Sequence, residues 1–333
     1  MYRPGPLNLI TDVPGLRVGH ATDERVMTGV TTVLCHGEWT GAVDVRGGGP
    51  GSRETEALAP ENFVDVIHGV VLTGGSVFGL AAADGVTTAL SHQNIGLRLK
   101  PTTPAIPIVP AAVLHDLGNE GDKDWGLHPP YEALGRASVA AASTTFDQGA
   151  VGAGRGAMAG LAKGGIGSTS LDLGDGLMVG ALVATNPVGS VFMPDGQTYW
   201  AWPFEIDSEF GGHRPSASDP VTDPLPELGR LRAAGRLTAG ANTTLAVVAV
   251  SVRLTKAEAK RVAMMAQDGL ARAIRPVHAP FDGDTVFALS GGTADIGEGP
   301  ERLLQLTRIG SAAADCLARA IARSVYCANS AST

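Results

Sequence analysis

The chain has 333 residues, 44% hydrophobic and 17% charged, with 45 glycines, which fits a compact, tightly turned globule with ample core. A formal charge of −8 argues against nucleic acid or anionic lipid as the main partner, and no apolar run approaches the ~18 residues a membrane span requires. The start, Met1 to Pro6, has no basic stretch leading into an apolar one, so no signal peptide is read there, and Cys35, Cys316 and Cys327 form no CxxC pair and fit a reduced cytoplasm.

Residues 1–200 mix short β-branched runs with glycine turns and Ala-rich helices. Val66 to Thr73 reads as a buried strand, Gly74-Gly75-Ser76 as the turn that ends it, and Phe78 to Leu90 as a small-residue helix. Another apolar run covers Leu177 to Ala184. Residues 203–241 carry five prolines and many Asp, Glu, Ser and Gly, which break any periodicity and read as an exposed, pliable linker. Patterning resumes with a strand at 245–253. Thr255 to Glu258 forms a capping box opening a helix to about Ile274, a strand follows at 284–290, and a last helix runs from about Pro300 to Cys327. No short-period repeat is found, and the alternation predicts an α/β layered fold.

The junction at Gly240-Ala241-Asn242-Thr243-Thr244 stands out, because a hydroxyl residue sits where a polar loop enters an apolar strand. Attack of Thr243 Oγ on the Asn242 carbonyl would cut the chain and leave a threonine with a free α-amino group. Hydroxyl and amine on one residue make a nucleophile with its own base, since an α-amino pKa of ~7.7–8.0 lies near working pH. An Asx turn entering a strand is the plainer reading, and the same residues match a glycosylation sequon that only a secreted chain would use.

Asp282-Gly283-Asp284 puts two carboxylates on one face of an extended segment, able to hold an amine and hydroxyl or simply to form a polar turn. Gly47-Gly48-Gly49-Pro50-Gly51 and Gly74-Gly75-Ser76 could present N–H groups to an oxyanion, or let backbones approach closely. Lys163, in a charge-poor stretch, is a snorkelling surface residue or a charge placed in a site. Asn186, at the end of an apolar run, is a turn residue or an oxyanion-hole amide. Gly152 to Ala157 matches GxGxxA, but no apolar strand precedes it. The eight histidines show neither HExxH nor HxH spacing and no GxSxG is present, so neither a metal site nor an α/β-hydrolase is expected.

In order along the chain, Asp12 to His20, Asp44 to Gly51, Leu72 to Leu80, Gly152-Ala153-Gly154, Lys163-Gly164-Gly165 and Asn186 resemble the L-aminopeptidase/D-esterase family, which also holds the β-aminopeptidases and nylon-oligomer hydrolases. The resemblance covers nearly the whole chain. It implies a self-cleaving N-terminal-nucleophile hydrolase of residues 1–333 with a four-layer αββα-type sandwich. Cleavage between Asn242 and Thr243 would give an α part, 1–242, and a β part, 243–333. By position Thr243 matches the nucleophile, and Asp282 and Asp284 the residues that orient it, a set similar to the nylon-oligomer hydrolase branch. Lys163 and Asn186 match pocket residues, with Asn186 the oxyanion donor. His115 stands where the family often has a tyrosine, which bears on that wall and on substrate choice, as do Gly74, Gly75 and Ser76.

The resemblance implies a cytoplasmic aminopeptidase or amidase, a homo-oligomer of αβ units, acting on peptides or ω-amino acid oligomers without a cofactor. Two rivals remain at this stage. One is an acyltransferase like ornithine acetyltransferase, although the residues around Thr243 differ from its Met-Ala-Thr-Met. The other is an uncleaved, non-enzymatic binder of small ligands.

Overall fold

The structure, a computed structural model, describes residues 2–216 and 242–330. Eleven strands are formed among them: β1 (Leu16–Asp23), β2 (Thr28–Val45), β3 (Gly51–Arg53), β4 (Ile67–Thr73), β5 (Ala111–Val113), β6 (Met158–Ala159), β7 (Ala162–Lys163), β8 (Gly165–Asp172), β9 (Met178–Asn186), β10 (Thr243–Val252) and β11 (Thr285–Ala294). Four α-helices accompany them: α1 (Ala82–His92), α2 (Tyr131–Ala140), α3 (Lys256–Ala273) and α4 (Gly299–Ser330).

Nine strands are hydrogen-bonded in the order β3-β5-β4-β2-β11-β10-β9-β8, with β1 beside β2. The 18-residue β2 makes this one ladder into two layers. Its first half pairs with β1 and β4, its second half with β11, and the register slips between Leu34 and Trp39. A strand interrupted in this way bends, so the two halves of the sheet fold over each other.

Side-chain alternation then sorts the core into three apolar sheets of packing. Val70, Leu72 and Ala112 of one layer meet Leu182, Leu245, Val247, Phe287 and Leu289 of the other. The opposite faces turn outward to helices: Val71 and Ala111 pack on α1 and α2, while Val179, Ala181, Ala246, Val248 and Val286 pack on α3 and α4. The layers therefore run helix, sheet, sheet, helix, the four-layer α/β sandwich expected. Burial on both faces also explains why β9 and β10 read as unbroken apolar runs rather than alternating ones. At α3 the predicted capping box is present, with Thr255 Oγ1 accepting from the Glu258 N–H.

Two expectations need correction. The helix after Gly75 starts with a 3₁₀ turn over Ser76–Ala81 and becomes α-helical only at Ala82. Residues 203–216 are not a linker. Phe210 is buried, Glu205 accepts from the N–H groups of Phe210 and Gly212, and Glu209 holds the buried guanidinium of Arg319. A charged, Gly-rich segment reads as pliable only while its carboxylates have no assigned partners, and here Glu205 and Glu209 have them. The rest of the expected linker, 217–241, lies outside the described residues.

Candidate active site

Sheet direction collects the chemistry at one end of the sandwich. β9 and β10 are antiparallel, so the last residue of β9, Asn186, is the direct partner of the first residue of β10, Thr243. β11 runs parallel to β10, which brings Asp282, Gly283 and Asp284 to the same edge. β2 is antiparallel to β11, so the glycines that follow Val45 arrive there too. Directly opposed residues project to one face, and the alternation places Thr243 and Asn186 on the inter-sheet face with Leu245 and Ala184.

Asn242 and Thr243 are buried, at 4% and 2% exposure. Thr243 Oγ1 donates to the carbonyl oxygen of Asn242 at 2.5 Å. That carbonyl also accepts the N–H of Gly283 at 3.0 Å. The bond that would break is thus polarised by one backbone donor, with the hydroxyl beside it. A Cβ on Gly283 would fall 2.6 Å from Thr243 Oγ1, so only glycine leaves the hydroxyl room.

Asp282 and Asp284 are both fully buried, and each grips backbone. Asp282 accepts from the N–H groups of Val188 (3.2 Å) and Ala279 (2.9 Å). Asp284 accepts from Thr244 N–H at 2.8 Å and from His278 N–H at 3.1 Å, and its Oδ2 lies 2.8 Å from His278 Nδ1. Neither carboxylate bonds the Thr243 hydroxyl; Asp284 holds the peptide that follows it, and Asp282 ties together the 188 and 279 segments beside it. Burial, and then the charge of Asp284, push the Asp282 carboxyl up to about 7 against the pull of its N–H donors and His278.

Asn186 is built in at both ends of its amide: Oδ1 accepts from Met158 N–H at 2.9 Å and Nδ2 donates to the His115 carbonyl oxygen at 3.3 Å. His115 therefore meets the site through its backbone, and its ring makes no hydrogen bond among the described residues. Lys163 is exposed at the end of β7, where it pairs with Met158; its ammonium forms no bond among the described residues, so the structure does not bring that charge onto Thr243.

The glycine turns do not present N–H groups to a ligand, which corrects the oxyanion reading. Gly74 N–H bonds Gly29 O, Gly75 N–H bonds Asp116 Oδ1 and Ser76 N–H bonds Leu114 O. Arg46, Gly47, Gly48 and Gly49 likewise direct their N–H groups to carbonyls of 279–284. Close approach is what Gly47 supplies, since a Cβ there would fall 2.3 Å from Asp282 O. Sequence reasoning missed His278 and the Gly283 N–H. A backbone donor leaves no side-chain signature, and the histidine follows no ligand spacing.

Among the described residues no group of three or more His, Cys, Asp or Glu side chains is placed to hold a metal ion, and no helix is long and apolar enough to cross a membrane.

Comparison with known proteins places this geometry. The profile of peptidase family S58 matches residues 8–333. A protein named an uncharacterized aminopeptidase, from Mycobacterium leprae, is 42% identical over 98% of this chain and 92% of its own length. A 6-aminohexanoate-oligomer endohydrolase from Kocuria sp. is 30% identical over 86% of this chain and 75% of its own. Among solved structures, the L-aminopeptidase D-Ala-esterase/amidase of Ochrobactrum anthropi, described as a variant of the Ntn hydrolase fold, superposes with a TM-score of 0.68. It is 21% identical and covers 98% of this chain and 88% of its own. The chain belongs to peptidase family S58 and is an amide hydrolase.

Proposed function

We propose that the chain cuts itself between Asn242 and Thr243 and then hydrolyses amide bonds of short peptides or ω-amino acid oligomers with Thr243 as its N-terminal nucleophile. The observation that carries this reading is the meeting of three groups at one buried bond: the Thr243 hydroxyl, the Asn242 carbonyl and the Gly283 N–H. The names of the relatives, an aminopeptidase and an oligomer endohydrolase, support the substrate class.

In processing, Oγ1 bonds to the Asn242 carbonyl carbon while Gly283 N–H supports the oxyanion. The C–N bond then breaks, the hydroxyl proton leaves with the Thr243 nitrogen, and water hydrolyses the ester. Asn242 becomes a carboxyl terminus and must withdraw before a substrate can enter.

In turnover, the freed amine takes the proton from Oγ1 as it attacks, and the substrate carbonyl occupies the position that Asn242 O holds before the cut. Gly283 N–H is then an oxyanion donor already in place, and such a donor contributes ~10²–10³ in rate. Asn186, on the same face as Thr243, is the second donor in this reading, once its amide turns from the His115 carbonyl.

The reading includes assembly of αβ units into a homo-oligomer. The three free cysteines, two of them buried, support a cytoplasmic setting. The test is a time course on a denaturing gel, followed by assay with 6-aminohexanoate oligomers and short peptides. Fragments 1–242 and 243–333, the smaller beginning Thr-Thr-Leu-Ala-Val, are expected together with release of free amino termini. A chain that stays intact yet hydrolyses at full rate would overturn the role of Thr243.

A further inference from the structure

We propose that His278 is a positioning residue for this reaction, aiming Asp284 and through it the peptide that follows Thr243; the proposal rests on Thr243 being the nucleophile. Both Asp282 and Asp284 are buried, and among the described residues no Lys or Arg bonds either one. The imidazole of His278 is the side chain that meets the pair. It lies 2.8 Å from Asp284 Oδ2, the same oxygen that accepts the His278 backbone N–H at 3.1 Å. One residue thus clasps one carboxylate oxygen twice.

The clasp depends on an unusual backbone. His278 has φ +54°, in the left-handed region that non-glycine residues rarely adopt, and that curl lets its own N–H and its ring face the same oxygen. Local strain of this kind persists where surrounding bonds over-determine it and concentrates at functional sites. An ionised carboxylate only accepts, so Nδ1 must carry the proton in this contact. Nε2 is buried with no hydrogen-bond partner among the described residues, so the ring is held through Nδ1 alone.

The other oxygen of Asp284 accepts from Thr244 N–H at 2.8 Å. A carboxylate pinned at Oδ2 presents Oδ1 in one direction. Rotation of the carboxyl would swing the Thr243–Thr244 peptide and with it the amine and hydroxyl of Thr243. Among the described residues His278 bonds Asp284 and forms no hydrogen bond to Thr243 or to the scissile carbonyl, so it acts through Asp284.

The experiment compares His278→Ala, His278→Asn and His278→Gln in the full chain, reading the half-time of self-cleavage on a gel and kcat and KM on a linear 6-aminohexanoate oligomer and a dipeptide p-nitroanilide. Asn places an N–H donor where Nδ1 stands and tolerates a positive φ, whereas Gln sets its donor one bond further out. Misplacing a reacting group by ~1 Å costs on the order of 10²-fold, so the Ala and Gln variants should cleave and turn over about 10- to 100-fold more slowly with KM unchanged. The Asn variant should recover most of the loss. A purely structural histidine would lower the melting temperature of all three and leave the kcat of the folded fraction alone, which would overturn the proposal. So would an Asn variant as slow as the Ala variant. A parent chain that neither cleaves nor hydrolyses overturns the nucleophile and this proposal together; an active parent matched by His278→Ala overturns the histidine alone.

Discussion

The backbone N–H of Gly283 donates to the carbonyl oxygen of Asn242 at 3.0 Å, and the Cα of the same glycine leaves room for the Thr243 hydroxyl. Gly283→Ala separates these two contributions from backbone strain. The donor survives, and the backbone of Gly283 is not in the left-handed region, but the new methyl falls 2.6 Å from Oγ1 and 3.0 Å from Gly49 O. Overpacking of this kind costs about 1–3 kcal/mol of stability. Displacing the hydroxyl should slow self-cleavage by on the order of 10²-fold. Gel time courses beside melting curves check this; a variant that melts lower but cleaves at the parental rate would place the reacting oxygen elsewhere.

Thr243→Ala should abolish both self-cleavage and hydrolysis, because it removes the hydroxyl bonded to the Asn242 carbonyl. Thr243→Ser keeps hydroxyl and future amine and should retain part of each activity. N-terminal sequencing of any small fragment decides the matter, and an Ala variant cut at the same bond would exclude Thr243 as the attacking group.

Asp284→Asn should reduce turnover more than stability. The amide can still accept from Thr244 N–H through its oxygen, but its NH₂ then faces two donors of His278. Asp282→Asn likewise leaves one backbone N–H, that of Val188 or Ala279, facing an NH₂, but neither of these peptides adjoins Thr243. A buried donor left unmet costs about 1–3 kcal/mol, so both variants should melt lower, and Asp282→Asn should show the smaller fall in kcat. Protein assembled from separately expressed 1–242 and 243–333 keeps a maturation defect from passing as a catalytic one. Equal losses of kcat in the two variants would show that the carboxylates act as one unit.

The second half of the chain is more legible than the first because its elements carry their own punctuation. Thr255 and Glu258 announce the start of α3, and the apolar run after Thr243 announces β10. By contrast β2 is a mixed run of Thr, Val and Gly, and nothing local reveals that 18 residues form one bent strand shared by two layers. The site divides along the same line. Thr243, Asn186, Asp282 and Asp284 are visible as side chains at the ends of apolar runs. What the side chains do is set by register between distant strands: the carboxylates hold backbone, the glycines after β2 admit the 279–284 loop, and a histidine without motif meets Asp284. Lys163 shows the converse, a residue matched by position whose ammonium the structure leaves at the surface.

The last prediction concerns pH. Burial, and the neighbouring charge of Asp284, raise the Asp282 carboxyl in the folded protein from an ordinary 3.8 to about 7. Between these two values the folded state holds a proton that the unfolded chain has released. Stability changes with pH as the protons bound unfolded minus those bound folded. That difference is negative here, so the contribution of Asp282 is fully present below about pH 4 and is lost as pH climbs toward 7. An amide at this position does not titrate, so Asp282→Asn, although less stable overall, should lose less between pH 4 and 7 than its parent. The measurement is melting temperature against pH for the parent and Asp282→Asn, both carrying Thr243→Ala so that neither chain is cut during the scan. The two curves should converge as pH rises from 4 to 7. A constant gap across that window would mean that Asp282 is ionised throughout and that burial and Asp284 do not hold its proton.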